Sequence, residues 1–254
     1  MHGSLYVLAM YISFTLATKM ITLASSFWLN LILAPICVAA IATLIEVALF
    51  RRVYAKEHLM QLVLAFGLVY ILGDIMKFIW GPIPKTVGMP EGFSGSFRMG
   101  GIILPSYHLL VITVGTATAV GLWAAIQRTS FGRRTRASAA DPNMARALGV
   151  NVSAIKSAVF ALGSFLAGFA GGLNLPLSSA SLGVDVEATV LAFIIVIIGG
   201  AGSIAGTFVA ALIVGIVDSF GILFVPRFTI VVIYFLMVII LLVRPYGIFG
   251  RATQ

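Results

Sequence analysis

Hydrophobic residues occur along this chain in long runs, separated by short segments that are charged or rich in glycine and proline. About 20 apolar residues are enough for a helix to cross a bilayer. Eight runs have the character of transmembrane or half-spanning helices: residues 5–17, 27–50, 59–79, 107–126, 155–175, 188–198, 207–217 and 228–243. We therefore predict an all-α, polytopic membrane protein with about seven to eight transmembrane or half-spanning helices, which form a single domain over residues 1–254.

The composition supports a membrane protein and disfavours several other classes. Of the 254 residues, 61% are hydrophobic and 9% are charged, whereas about a quarter of an ordinary soluble domain is charged. The net charge of +8 would suit nucleic-acid binding in a soluble protein, but here the basic residues lie between apolar runs, so no nucleic acid partner is predicted. Cys37 is the only cysteine, and no Cys/His cluster has metal-ligand spacing, so neither an internal disulfide nor a metal site is predicted.

The basic residues between the runs predict the orientation of the chain, because short loops rich in Lys and Arg stay in the cytoplasm. Three segments are rich in such residues: Arg51, Arg52 and Lys56; Arg128, Arg133, Arg134, Arg136, Arg146 and Lys156; and Arg244 and Arg251. An even number of predicted helices separates each segment from the next, so all three are predicted to be cytoplasmic. Residues 80–104 are then external. Pro82, Pro84 and Pro90 exclude a helix there, and Gly100-Gly101 predicts a tight turn between two short strands.

A glycine-rich segment at residues 199–206, GGAGSIAG, separates two runs that are too short to cross a membrane alone as straight helices. Unwound backbone at membrane depth is tolerated only where protein or a water-filled cavity surrounds it, so we predict that this segment lines a translocation pathway. The end of another span and the N-terminus could add polar groups. The predicted pathway residues are His2, Asn174, Pro176, Gly199, Gly200, Gly202, Ser203 and Gly206. Gly168 with Gly172, and Gly202 with Gly206, also have the spacing of close helix packing.

The basic loop at residues 128–156 contains a short segment with the signals of a capped helix. Asp141 suits the N-cap, Pro142 the first helical position and Gly149 the left-handed C-cap. About two turns of helix would present small and apolar side chains to a docking partner. The predicted docking residues are Asp141, Pro142, Met144, Ala145, Arg146, Leu148 and Gly149. The alternative is a topology-determining loop whose helix lies on lipid headgroups, and the residues alone leave both interpretations open.

Four stretches of the sequence resemble the permeases of branched-chain amino acid ABC transporters, the LivH type. The longest, RASAADPNMARALGVN at residues 136–151, is similar to the cytoplasmic loop of that family. The others are HGSLY at residues 2–6, GGAGS at residues 199–203 and RPYGIFGR at residues 244–251. They follow the order of the family and cover nearly the whole chain.

The resemblance implies that residues 1–254 form a permease domain in the bacterial inner (plasma) membrane, with the loop at residues 128–156 coupling it to an ATPase. With a second permease subunit, this domain would form the pathway of an importer for branched-chain or related amino acids. Two ABC ATPase subunits and an external solute-binding protein are the other implied partners. The family has a further hydrophobic span before its His-Gly motif, whereas this sequence begins at Met1. The resemblance therefore predicts either a start codon upstream of the recorded one or a shortened copy.

The energy source implied by the resemblance is ATP bound by partner subunits. The sequence has no G-x-x-x-x-G-K-[ST] phosphate loop, so we expect no cofactor in this chain. The alternative is an ion-coupled secondary carrier or channel for a small polar solute. Such carriers usually place carboxylates or histidines in mid-span, whereas the acidic residues here lie near the ends of predicted spans: Glu46 precedes Arg51 by about one turn, and Asp218 ends a run.

An enzyme within the membrane is the least favoured class. It would need a nucleophile–base pair or a metal site inside the bilayer. The sequence has neither the His-Glu-x-x-His spacing nor a convincing carboxylate pair within a span. No catalytic residue is therefore predicted.

Overall fold

The computed structural model describes residues 1–19, 27–54, 56–90, 92–99 and 102–250. Helices dominate the described residues, and two short strands form a hairpin. The helices are α1 (His2–Lys19), α2 (Phe27–Ile45), α3 (Arg51–Val53), α4 (His58–Trp80), α5 (Ser106–Arg128), α6 (Ser130–Ala140), α7 (Pro142–Ala147), α8 (Val152–Asn174), α9 (Val184–Gly199), α10 (Ile204–Phe224) and α11 (Thr229–Val243). A π-helical segment, Glu46–Phe50, joins α2 to α3, and a 3₁₀ turn, Pro226–Phe228, precedes α11.

Six helical segments of the described residues are long and apolar enough to cross a membrane. They are Phe27–Val53, Leu59–Trp80, Ser106–Arg128, Val152–Asn174, Ile204–Phe224 and Pro226–Val243. The helices α1 and α9 are shorter than most of these, with 18 and 16 residues. The prediction of an all-α, polytopic membrane protein is confirmed, and the expected seven to eight transmembrane or half-spanning helices are close to what is observed.

The helix α10 is longer than the sequence pattern predicts. We expected a short run that ends before Asp218, but α10 continues through Asp218 to Phe224 and contains 21 residues. At 1.5 Å per residue, its length of about 31 Å matches the hydrocarbon core of a bilayer. The carboxylate lowers the local hydropathy without removing a backbone hydrogen bond, and for this reason Asp218 interrupts the apolar run but not the helix.

The chain forms two compact units. The first contains Met1–Gly115 and Arg128–Thr189, and the second contains Thr116–Gln127 and Val190–Gln254. Each unit has a buried apolar cluster of its own.

In the first unit, α1, α2 and α8 pack closely against one another. A Cβ atom added at Gly168 would lie 3.0 Å from the Cα atom of Pro35 on α2, and one added at Gly171 would overlap a backbone carbonyl of α1. Gly172 lies against Ser13 of α1. Helix association in a bilayer depends on van der Waals contact, which glycine permits at short range. The predicted packing role of Gly168 and Gly172 is therefore confirmed.

In the second unit, apolar side chains of α9, α10 and α11 form the buried cluster. Its fully or nearly fully buried members are Ile194, Ile198, Ala210, Val214 and Ile233. Leu223, Phe224 and Leu242 point outward from the same helices and are exposed. Large apolar side chains on the outside of a helix are expected where the surroundings are lipid rather than water.

The predicted external loop contains the predicted hairpin, formed by β1 (Ser96–Met99) and β2 (Ile102–Pro105). The strands are antiparallel, with Ser96 opposite Pro105 and Met99 opposite Ile102. The turn residues Gly100 and Gly101 lie outside the described residues. Backbone hydrogen bonds of 2.9 and 2.8 Å between Lys85 and Ala180 join this loop to the segment that follows α8.

Candidate functional site

The helix α7 begins with the cap that its sequence predicts. The Asp141 carboxylate accepts hydrogen bonds from the backbone N–H groups of Asn143 and Met144, at 2.9 and 3.0 Å. Pro142 occupies the first turn, where its missing N–H has no cost. The cap therefore satisfies two of the donors that every helix N-terminus leaves without an intrahelical acceptor.

The C-terminal end of α7 is also stabilised by residues of the same loop. Gly149 has a φ angle of +80°, which glycine adopts without steric cost. Its N–H donates to the carbonyl of Arg146 at 2.9 Å, and the N–H of Val150 donates to the carbonyl of Ala145 at 3.0 Å. These two bonds form a Schellman motif, so the helix ends sharply and its geometry is fixed by local hydrogen bonds.

Two large apolar side chains, Met144 and Leu148, project from α7 and are 59% and 76% exposed; we call them the apolar tip. The guanidinium of the exposed Arg146 donates to the side-chain oxygen of Asn143 at 3.0 Å. In contrast, Ala145 is only 2% exposed. The structure therefore places Ala145 on the inner side of α7, out of reach of a docking partner, although the sequence analysis includes it among the docking residues.

The same loop contains a second helix, α6, that we did not predict from the sequence. Its N-cap is Thr129, whose side-chain oxygen accepts a hydrogen bond from the N–H of Gly132 at 3.2 Å. Threonine is a frequent N-cap residue, so Thr129 was the available signal. The glycine and the arginines of α6 weaken the hydrophobic pattern on which the predictions depend.

A buried carboxylate links the π-helical segment to α8. Glu46 is fully buried and accepts a hydrogen bond of 2.7 Å from the hydroxyl of Ser157. That hydroxyl accepts in turn from the guanidinium of Arg51 at 2.9 Å. Burial, with the negative charge of Glu46 nearby, raises the pKa of Tyr54 to about 12, so its phenol is neutral at physiological pH. The sequence places Glu46 about one turn before Arg51, and the structure links the two residues through a serine of a distant helix.

Asn174, at the end of α8, lies among hydroxyl groups of the first unit. Its amide nitrogen donates to the hydroxyl of Tyr6 on α1 and, at 3.1 Å, to that of Ser178. Also on α1, Ser4 donates to the carboxylate of Asp185 on α9 at 3.3 Å. Polar side chains of α1 therefore form hydrogen bonds with polar side chains of both α8 and α9.

His2, another predicted pathway residue of the first unit, does not lie beside the Asn174 amide. The ring of His2 packs against Phe160, with centroids 5.8 Å apart, and its Nε2 lies near Gly163 in the middle of α8. At 1.5 Å per residue, Gly163 is about 16 Å from Asn174 along the helix axis. Pro176 lies in the turn after α8, where the N–H groups of the next residues donate to the Asn174 carbonyl.

Residues 199–206, which we call the glycine turn, connect α9 to α10. The helix α9 ends at Gly199, and Ser203 caps α10 by accepting a hydrogen bond from the N–H of Gly206 at 3.0 Å. Gly200 and Gly202 have φ angles of +95° and +87°. The turn is therefore tight, and the two flanking helices belong to the same buried cluster.

The segment after α11 closes over the glycine turn. The N–H of Ile248 donates to the carbonyl of Ile198 at 2.8 Å, and the N–H of Phe249 donates to the carbonyl of Gly199 at 3.2 Å. A Cβ atom added at Gly200 would lie 2.5 Å from the backbone nitrogen of Gly250. These two carbonyls therefore accept hydrogen bonds from the chain itself. The pathway residues thus fall in both units, and their role stays a prediction.

Comparison with known proteins agrees with this description of a membrane protein. A family model described as "Branched-chain amino acid transport system / permease component" matches residues 2–241. The chain is 28% identical to the high-affinity branched-chain amino acid transport system permease protein BraD of Pseudomonas aeruginosa, over 98% of this chain and 85% of that protein. It is 26% identical to the corresponding LivH protein of Escherichia coli, over 98% of this chain and 84% of that protein.

A similarity over a shorter part of the chain, 27% identity over 61% of this chain and 44% of the other protein, relates it to the fructose import permease protein FrcC of Rhizobium meliloti. No solved structure matches the chain. The family model covers nearly the whole sequence, and the helices of the structure are those of a polytopic membrane protein. The chain therefore belongs to the family of permease components of branched-chain amino acid transport systems.

Proposed function

We propose that this chain is the permease subunit of an ABC importer for branched-chain or related amino acids in the bacterial inner membrane. A second permease subunit completes the pathway, two ABC ATPase subunits bind ATP, and an external solute-binding protein delivers the substrate. Membership of the family supports the transport role, and the names of the relatives support the substrate class.

The observation that carries the proposal is the apolar tip of α7. Met144 and Leu148 are exposed on a loop that lies between two candidate spans. A six-residue helix is too short to be stable by itself in water, yet both ends of α7 are fixed by hydrogen bonds. Exposed apolar side chains on such a rigid element are typical of a binding surface. We propose that an ATPase subunit covers the apolar tip and moves with α7 when it hydrolyses ATP.

For the pathway itself, Asn174 has the strongest support. Its amide and the neighbouring Tyr6 hydroxyl are uncharged polar groups at the end of a span, where they could contact the polar end of an amino acid. His2 has weaker support because its side chain packs against Phe160, and Pro176 has weaker support because its side chain carries no polar group. The glycine turn has the weakest support, because the carbonyls of Ile198 and Gly199 accept hydrogen bonds from residues 248 and 249.

The test is purification of the tagged chain from native membranes in mild detergent, followed by reconstitution of the recovered complex into liposomes. We expect an ABC ATPase and a second permease to be recovered, and leucine uptake to require ATP and the solute-binding protein. A proton ionophore should leave uptake unchanged. Uptake that continues without ATP and stops with the ionophore would instead establish the ion-coupled carrier.

A further inference from the structure

A cavity of about 350 Å³ lies in the first unit, between α7 and the facing ends of α3 and α8. Its charged lining residues are Arg51, Arg146 and Lys156, and no carboxylate is among the residues that line it in the described part of the chain. The cavity is in the size range of small-molecule sites. Its charge indicates that a ligand would be an anion.

The three cations come from three separate elements. Their proximity is therefore a result of the fold and not of adjacent positions in the sequence. Arg51 belongs to α3, Arg146 to α7 and Lys156 to the first turns of α8. Each of the three side chains contacts a neutral group: Arg51 contacts Ser157, Arg146 contacts Asn143, and Lys156 lies over the ring of Tyr54. Glu46 lies behind Ser157 and does not line the cavity. Like charges around one cavity repel each other, so a bound anion would stabilise the arrangement.

The N-terminus of α8 adds to the positive potential. Val152 and Ser153, the first two residues of this 23-residue helix, line the cavity. The Asn151 side chain accepts the N–H of Ala154 at 3.0 Å, which is one of the first four N–H groups that a helix leaves without an intrahelical acceptor. The helix dipole also favours an anion at this end.

The position of the cavity identifies the anion. It lies where two candidate spans, Phe27–Val53 and Val152–Asn174, end, and this is the depth of the lipid headgroups. Tyr54, which lines it, is a residue type enriched at that depth. The apolar tip does not line the cavity, but Arg146 is both a predicted docking residue and a lining residue. The cavity therefore adjoins the surface proposed for the ATPase.

We propose that this cavity binds the phosphate group of an anionic phospholipid. Basic pockets between membrane helices on the cytoplasmic side are suited to such headgroups. The bound lipid would hold the base of α7 against α3 and α8, and it would do so whether or not the proposed transport function is correct.

The test is a titration of the purified full chain with phosphatidylglycerol and, separately, with phosphatidylcholine of the same acyl chains, followed by native mass spectrometry. The variant Arg146→Gln with Lys156→Gln removes two lining charges. Its matched control is Arg52→Gln with Lys56→Gln, two exposed basic residues outside the cavity. We expect roughly 20-fold weaker phosphatidylglycerol binding in the cavity variant and at most about twofold in the control.

A charge-preserving variant, Arg146→Lys with Lys156→Arg, guards against a folding defect and should bind phosphatidylglycerol as the unaltered chain does. Equal binding of the two lipids by the unaltered chain would overturn the proposal. So would a delipidated chain that inorganic phosphate stabilises against heat as strongly as phosphatidylglycerol does, because free phosphate would then be the source of the anion. A cavity variant that binds the lipid normally would also overturn it, and loss of ATPase recovery in that variant would indicate that these side chains contact the ATPase instead.

Discussion

The loop around α7 and the glycine turn are two short connections that resemble the same permease family, yet they are built in opposite ways. The backbone of α7 is satisfied by hydrogen bonds inside its own loop, and its large apolar side chains point outward. The glycine turn has no large side chain before Ile204, and its neighbouring carbonyls bind the segment after α11. The first connection can therefore serve a partner, whereas the second serves the fold of its own unit.

The largest effect is expected from Gly200→Ala. The added Cβ atom would lie 2.5 Å from the nitrogen and 2.7 Å from the Cα atom of Gly250, and the φ angle of +95° disfavours any other residue. Because both backbones would have to move, we expect the free energy of unfolding to fall by about 3 kcal/mol or more. Unfolding of the purified chain in detergent, followed by circular dichroism, measures this change.

The matched variant is Gly202→Ala, which separates close contact from backbone strain. Gly202 has a similar φ of +87°, but a Cβ atom there would meet nothing within 4 Å. We expect the free energy of unfolding to fall by only about 1 kcal/mol, because alanine disfavours the left-handed conformation. Equal losses in the two variants would show that the segment after α11 does not constrain the turn, and the contrast with α7 would then fail.

The next largest effect is expected from Leu148→Asp in the apolar tip. The leucine is 76% exposed in the chain alone, so the stability of the chain should not change. If an ATPase subunit covers it, the buried carboxylate should weaken the association by about 2–3 kcal/mol, or roughly 30- to 150-fold. The affinity of the reconstituted ATPase for the detergent-solubilised chain is the measurement.

The control for the apolar tip is Ala139→Asp, which adds the same charge to an exposed position of α6 in the same loop. It should leave the affinity within about threefold, because it changes the electrostatic potential but not the docking surface. An equal loss in both variants would mean that net charge determines the association, and an unchanged affinity in Leu148→Asp would remove the tip from the interface.

The sequence predicted most accurately those features that depend on neighbouring residues. The hydrogen bonds that cap α7 join residues no more than five positions apart, so Asp141 and Gly149 identified the caps directly. The hairpin followed from two short strands around a glycine pair, and the apolar runs located most helices. The predicted end of α10 was wrong because we interpreted one carboxylate, Asp218, as the end of the helix.

The features that the sequence could not predict depend on contacts between distant segments. The hydrogen bond from Ser157 to Glu46 joins residues 111 positions apart, and no local pattern relates them. The pathway prediction grouped Asn174 with the glycine turn because both interrupt apolar runs. In the structure, Asn174 binds side chains of the first unit, whereas the turn is closed by residues 246–250 of the second.

The smallest effect is expected from Asp141→Ala, which removes the N-cap of α7. The loss of two hydrogen bonds, at 2.9 and 3.0 Å, should cost about 1 kcal/mol, and only locally. Hydrogen exchange at the amides of residues 143–149 should therefore become roughly fivefold faster, while global unfolding changes little. Asp141→Asn keeps an acceptor oxygen and should exchange nearly as slowly as the unaltered chain.

The comparison of the two connections depends on this result. If α7 is held by its own hydrogen bonds, removal of the cap should destabilise the helix locally. The affinity for the ATPase should then fall by no more than the roughly fivefold change expected in hydrogen exchange. If Asp141→Ala instead lowers the free energy of global unfolding as much as Gly200→Ala does, α7 must be an integral part of the first unit in the way that the glycine turn is of the second. Asp141→Asn distinguishes the hydrogen bonds of the cap from the negative charge of Asp141. A defect equal to that of Asp141→Ala would show that the charge itself is required.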